Sequence, residues 1–293
     1  MLLRLGLSTA DIVVNALPSH VAYALADLGG DVWRRMAPAR RRLVAANLAR
    51  VCAATGRPTE GRAFDALVAR AFRHYARYYL ELLRIPHYRR EAIDEIVRIE
   101  PWSEHEVTLK AGATILVSSH TGNFEPFGSY VAAKGYRATV PIEEIEPPVL
   151  YEFLRTRRGG GGVTIVPLRA SRRPVVEALR RGEVVGIVGD RDITGQGIEV
   201  EMFGHPTTVP TGPASLALLT GAPIIAGRCL RIGPDRFTAG GVRIGWEPSG
   251  DRRADVERLT RLLVARYEKD IGEAPEQWWG AFQQRWPDVT GAP

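Results

Sequence analysis

The sequence predicts an α/β fold: a central, mostly parallel sheet flanked by helices in three layers (αβα), preceded by a helical N-terminal segment. Three observations predict it. The first hundred residues carry apolar positions at helical spacing. From about residue 101 onward, short β-branched runs alternate with helical stretches. Two of those runs, Thr114–Val117 and Val184–Val188, are apolar almost throughout and read as buried strands. No repeat or flexible linker interrupts the 293 residues. They read as one domain, 1–293, with a mainly helical part over 1–100 and an α/β part over 101–293.

In chain order, Pro18 and Ser19 break the opening helical segment in two. Arg40–Ala53 reads as a short helix with Leu43, Leu48 and Val51 turned inward. Arg62–Ile85 has one broad apolar face, from Phe64 to Leu83, and reads as a long helix ended by Pro86. Ile96–Ile99 reads as a strand and Ser103–Lys110 as a helix. Thr114–Ser118 is a strand, Phe127–Lys134 a helix, Arg137–Pro141 a strand and Pro148–Arg157 a helix. Gly159–Gly162 holds no regular element. Thr164–Pro167, Pro174–Arg181 and Val184–Val188 continue the alternation. Ile193–Thr211, with its glycines and prolines, reads as a loop. Pro213–Thr220 is a helix with proline in its first turn. Ala222–Leu230 and Phe237–Ile244 are late strands, and Arg253–Ile271 is a final amphipathic helix. The tail Ala274–Pro287 holds Trp278, Trp279 and Trp286, three of the six tryptophans.

Composition narrows the function. Apolar residues make up 45%, which marks a globular chain. The two cysteines, Cys52 and Cys229, have no metal-type spacing, which argues against a disulfide framework or a thiolate zinc site and fits a reducing compartment. The net charge of +6 favours anionic partners. Arg34, Arg35, Arg40, Arg41, Arg42 and Arg50 fall in a stretch without acids, either a solvated face or a contact for anionic lipid head groups. No nucleic-acid-binding signature accompanies them. Leu2–Leu28 is interrupted by Arg4, Asp11, Asn15, Pro18, His20 and Asp27, so it does not read as a membrane span or signal peptide. An amphipathic helix lying in the membrane interface and a helix packed on the domain both fit it.

Three groups could do chemistry. The stretch T-I-L-V-S-S-H-T-G-N-F-E-P-F-G, Thr114–Gly128, reads as a strand, a turn and a helix start, and sites of open α/β sheets gather at such strand ends. His120 could take a proton from a hydroxyl, and Glu125 could fix its tautomer if the turn brings them together. Such pairs also occur by chance, and the pair could be structural. Arg155, Arg157 and Arg158 could hold phosphate or form a solvated helix end. Asp190, Arg191 and Asp192, with Glu199 and Glu201, follow a buried strand; such acids could orient a base, bind a metal or cap backbone groups. Their spacing matches no standard metal motif. Neither a P-loop nor a Gly-x-Ser-x-Gly elbow occurs.

At S-S-H-T-G-N-F-E-P-F-G the chain resembles the His-x-x-x-x-Asp/Glu block of the lipid A biosynthesis acyltransferase superfamily, and within it the actinobacterial phosphatidylinositol mannoside branch. Further blocks agree in order: A-N-L-A-R-V (46–51), R-H-Y-A-R-Y-Y-L-E-L-L-R-I-P (73–86), L-Y-E-F-L-R-T-R-R (150–158), V-P-L (166–168), G-D-R-D-I-T-G-Q-G-I-E-V-E-M-F-G (189–204), T-V-P-T-G-P-A-S-L-A (208–217) and A-P-E-Q-W-W-G-A-F-Q-Q-R-W (274–286). Two features depart from that branch: Glu125 stands where Asp is usual, and a glycine run follows Arg158.

The resemblance implies an acyltransferase peripheral to the cytoplasmic face of the plasma membrane. It implies transfer of a long-chain acyl group from an acyl thioester, acyl-CoA or acyl carrier protein, to a hydroxyl of a membrane glycolipid such as a phosphatidylinositol mannoside. His120 matches the general base, Glu125 its acidic partner, and Glu199 a second active-site acid. Arg158 matches a residue that binds acidic groups, and Arg155, Arg191 and Asn123 are expected beside it. No metal, cofactor, covalent intermediate or nucleic-acid partner is expected; acyl-CoA is a co-substrate. Backbone N–H groups of the turn after His120 are expected to hold the oxyanion. The face Phe72–Leu83 is expected to line part of an acyl tunnel. Other readings are a lipid A or lysolipid acyltransferase, a thioesterase and a non-catalytic lipid-binding protein.

Overall fold

Four helices open the chain: α1 (Leu2–Ala16), α2 (Ser19–Met36), α3 (Pro38–Ala54) and α4 (Gly61–Arg84). The computed structural model describes residues 2–99 and 102–286; Pro287, the end of the expected tail, lies outside them. Pro38 stands in the first turn of α3, where its missing N–H costs nothing. The helical spacing in α4 buries Phe64, Leu67, Val68, Ala71, Phe72, Tyr75, Tyr78 and Leu82.

The rest alternates: α5 (Ile93–Ile96), β1 (Val97–Ile99), α6 (Trp102–Lys110), β2 (Thr114–Ser118), α7 (Glu125–Ala133), β3 (Ala138–Ile142), α8 (Pro148–Gly159), β4 (Thr164–Pro167), α9 (Arg172–Arg180) and β5 (Val184–Val188). Then come β6 (Ile198–Met202), β7 (His205–Val209), α10 (Gly212–Thr220), β8 (Ile224–Gly233), β9 (Arg236–Arg243) and α11 (Arg252–Glu273). A seven-stranded sheet runs β1-β9-β8-β2-β5-β3-β4. Its neighbours are parallel except the hairpin β8–β9. The αβα fold expected from the sequence is therefore the one observed.

Alternate residues of the central strands serve two helical layers. Ile115, Val117, Val185 and Ile224 join a core with α9, α10 and α11, through residues such as Leu179, Ala217, Leu263 and Tyr267. That core continues into α3 and α4 and into the tail, through Leu48, Phe72, Trp278 and Phe282. On the opposite face, Ala138 and Val184 pack with Leu109 of α6 and Val131 of α7.

Two expectations fail: Leu43 is only half-buried, Val44 turning inward instead, and a loop is replaced by strands. The stretch expected as a loop contains the two-stranded hairpin β6–β7. Both strands alternate buried and exposed residues, with Val200 and Met202 inward and Glu199 and Glu201 outward. The turn is Phe203-Gly204, with φ of 52° and 75°, the positive values that a two-residue hairpin turn requires. Phenylalanine is an uncommon residue there, and Pro206 and Pro210 further obscure the signal.

Candidate active site

Strands β2 and β5 are adjacent, and Ser118 pairs with Val188 at their carboxyl ends. Two residues beyond each partner stand His120 and Asp190. Asp190 accepts from the His120 backbone N–H at 3.0 Å, and its Oδ1 also accepts from the imidazole Nδ1–H. Its Oδ2 accepts from the Trp278 indole N–H at 2.9 Å. The carboxylate is 1% exposed. Burial would push its pKa up, but His120 and the Trp278 donor outweigh burial and hold it below the ordinary aspartate range. With Nδ1 engaged, Nε2 is the ring nitrogen left for the cavity that His120 lines.

The expected partner, Glu125, does not occupy that position. Its Oε1 stands 2.7 Å from Arg158 Nε, and the Tyr78 hydroxyl bridges the two, accepting from Arg158 Nη2 at 2.8 Å and donating to Glu125 at 3.5 Å. Burial raises the Glu125 pKa against the pull of Arg158. The pairing follows from the chain: Glu125 is the first residue of α7, turned toward α4 and α8, whereas the parallel register brings Asp190 to the imidazole. Glu125, Arg158 and His120 still line one cavity.

The turn after His120 is fixed on every side. Gly122 has φ of 69°, and a Cβ there would lie 2.0 Å from the Cys229 carbonyl oxygen, so only glycine fits. The Gly122 N–H donates to Gln277 O at 2.8 Å, Asn123 N–H to Cys229 O at 2.8 Å and Thr121 N–H to Ser119 O at 2.7 Å. The Asn123 side chain accepts from Glu125 N–H at 3.0 Å and donates to the fully buried Glu81 at 2.8 Å. Glu81 in turn pairs with Arg231. Asn123 thus holds the turn from within the protein. The N–H groups of residues 120, 121, 122, 123 and 125 are bonded to protein acceptors, so these five are not available to an oxyanion.

The other expected site residues divide. Arg191 lines the cavity, its Nη2 donating to Glu143 at 2.7 Å. Arg155 is exposed and paired with Glu152 at 2.9 Å. Glu199 faces solvent on β6, opposite Thr208. Neither of these two is among the residues that line the His120 cavity. Asp192 caps its own loop, accepting from Thr194 and Gly195 N–H at 3.0 Å. Two glycines of the run leave no room for a side chain: a Cβ at Gly161 would meet the Ser129 hydroxyl at 2.1 Å, and one at Gly160 would meet Pro86 Cβ at 2.8 Å.

Two cavities share wall residues, and His120 lines the first of them. The first carries the aromatic side chains Tyr75, Tyr78, Tyr79, Tyr151 and Trp279 along with the charged groups. Trp279 lies edge-on to the His120 ring, centroids 4.4 Å apart. Its indole N–H, the Tyr151 hydroxyl and Arg191 Nε are buried without a hydrogen-bond partner, as is the Gln283 side-chain oxygen. The second is an almost wholly apolar slot between the sheet and α7, lined by Leu116, Val131, Val184, Gly186 and Ile225 among others. Phe124, Val140, Ile187 and Val188 line both. Phe72, expected at a tunnel wall, is instead fully buried in the core; Tyr75, Tyr78, Tyr79 and Leu82 do reach the first cavity.

Residues 5–287 match the family described as bacterial lipid A biosynthesis acyltransferase. A phosphatidylinositol mannoside acyltransferase of Mycobacterium tuberculosis is 29% identical over 283 residues, covering 94% of this chain and 85% of that protein. One from Mycolicibacterium smegmatis is 29% identical over 300 residues, covering 96% and 90%.

Proposed function

This chain belongs to the bacterial lipid A biosynthesis acyltransferase family, and from that premise we propose that it moves a long-chain acyl group from acyl-CoA to a hydroxyl of a membrane glycolipid, a phosphatidylinositol mannoside. The single observation that carries this reading is an apolar slot that shares wall residues with the polar, aromatic cavity lined by His120. A fatty chain fits the first, and a polyol fits the second, where aromatic faces and unpartnered donors and acceptors stand together.

In this reading His120 Nε2 takes the acceptor hydroxyl proton as the oxygen attacks the thioester carbonyl. Asp190 holds the tautomer and stabilises the imidazolium. The tetrahedral intermediate collapses, the C–S bond breaks, and the thiolate leaves with the proton returned by His120. No covalent enzyme intermediate and no cofactor are needed. The oxyanion is assigned to unpartnered side-chain donors of the cavity wall. Arg158 shapes the wall through Glu125 and Tyr78, and Arg191, paired through Nη2 with Glu143, keeps its Nε without a hydrogen-bond partner at the cavity.

No helix among the described residues is long and apolar enough to cross a membrane. Ile12 and Val13 on α1, and Leu25, Leu28, Val32 and Met36 on α2, are exposed apolar side chains. Arg35, Arg40, Arg41 and Arg42 are exposed close by in the chain. This combination supports peripheral seating on an anionic membrane surface, assigned to the cytoplasmic face of the plasma membrane.

The test is thiol release from palmitoyl-CoA by purified protein, with and without a phosphatidylinositol mannoside acceptor. Acceptor-dependent release that is lost in His120→Ala supports transfer. Equal release without acceptor means a thioesterase, and no release with a folded protein contradicts the reading.

A further inference from the structure

The C-terminal segment after α11 does more than cover the core. Its residues 277–280 pair with the turn at residues 120–122. Gln277 O accepts from Gly122 N–H at 2.8 Å, and Gly280 N–H donates to His120 O at 3.4 Å. Trp278 forms a β-bridge with Thr121. Its indole N–H then reaches Asp190 Oδ2 at 2.9 Å, and Trp278 is 1% exposed.

We propose that Trp278 is a positioning residue for the His120–Asp190 pair, the third member of a relay supplied by the tail. The argument rests on how Asp190 is used up. A carboxylate has two oxygens, and in a buried site each must be satisfied. Oδ1 serves the His120 backbone and ring. Oδ2 serves Trp278. A carboxylate held by one oxygen can rotate about its Cβ–Cγ bond and withdraw from the ring. Held by both, it keeps Oδ1 aimed at Nδ1. Tyr267 helps shape the other side: a Cβ at Gly189, next to Asp190, would lie 2.6 Å from its hydroxyl.

The proposal rests on the transfer reaction of the previous section, and its test separates the two. Trp278→Phe keeps an aromatic ring and removes the donor. Trp286→Phe is the control. Trp286 is also a buried tail tryptophan, and its indole N–H donates to Asn47 Oδ1 at 2.8 Å, on α3. Both variants lose one buried tail hydrogen bond. The expected result is a kcat for transfer lowered about ten- to a hundredfold in Trp278→Phe, the size of one hydrogen bond to a charged group. KM should stay within about twofold, and Trp286→Phe should keep wild-type kcat. Independently of turnover, proton NMR of the His120 Nδ1–H should show a clear upfield shift in Trp278→Phe alone. Wild-type kcat with an unshifted proton in Trp278→Phe overturns the assignment. So does an equal kcat loss in both variants, which marks general loosening of the tail. If the wild type turns over no thioester, the function falls while the NMR comparison still decides the role of Trp278.

Discussion

His120 and Asp190 stand two residues beyond the register partners Ser118 and Val188, on neighbouring parallel strands. One strand spacing, about 4.8 Å, separates such neighbours, so their side chains meet where both strands end. The pair stands just past the ends of two central strands, and the Asp190 carboxylate also holds the His120 backbone N–H.

Glu125 has a different place, and its variants should read as stability before chemistry. It and Arg158 form a buried ion pair. Removing one partner of such a pair leaves an uncompensated charge, at about 3–5 kcal/mol. Glu125→Ala should therefore lose about that much in urea denaturation. The double variant Glu125→Ala/Arg158→Met should recover part of it, because the stranded charge is gone. Equal losses in the single and double variants would contradict this account.

His74 should give the fold a pH slope. Burial first, then Arg231, Arg77 and Arg70, pushes its pKa down to about 2. Arg231 donates to its Nδ1 at 2.7 Å, which requires the neutral ring. Unfolded, the imidazole titrates near about 6.5. Below that pH the unfolded chain takes up a proton that the folded protein cannot hold. The stability is therefore complete above about 6.5 and lost as pH falls, at up to about 1.4 kcal/mol per pH unit. Urea midpoints at pH 7 and pH 5 should show the wild type falling by about 2 kcal/mol more than His74→Gln. Parallel curves would rule this out.

Gly186 should set how long an acyl chain the slot accepts. It lies on the central strand β5, opposite Leu116 in register. A Cβ there would sit 3.1 Å from Val140 Cγ2, in the slot wall. Its backbone is extended, which valine adopts, and Val140 must shift by a few tenths of an ångström to admit it. Gly186→Val should move preference to shorter donors, with kcat/KM for a sixteen-carbon thioester falling at least about tenfold relative to a ten-carbon one. Each methylene denied burial is worth about 0.8 kcal/mol. An unchanged chain-length profile would show that the acyl group lies elsewhere.

The layers of the fold were legible because burial leaves a periodic trace. Thr114–Ser118, Thr164–Pro167 and Val184–Val188 end where the sequence pattern ends. The hairpin β6–β7 left only a weak alternation, broken by proline and by a phenylalanine at a positive φ. His120 was visible as a polar residue at a strand end. Its partner was not, because a sequence shows the spacing of His120 to Glu125 but not which strands lie side by side. Asp190 stood among three possibilities for acids after β5: base orientation, metal binding and capping. Only the β2–β5 register selects the first. Trp278 left no signal beyond a clustering of tryptophans, since its reach to Asp190 spans 88 residues.

The most direct test of the central assignment is the single-turnover rate of acyl transfer from palmitoyl-CoA in Asp190→Asn, measured on protein with a wild-type melting profile. An amide in place of the carboxylate can present an N–H to Nδ1, which selects the wrong tautomer and removes the charge that stabilises the imidazolium. The account predicts a rate about 10³- to 10⁴-fold below wild type. An Asp190→Asn rate within a few-fold of wild type would contradict it.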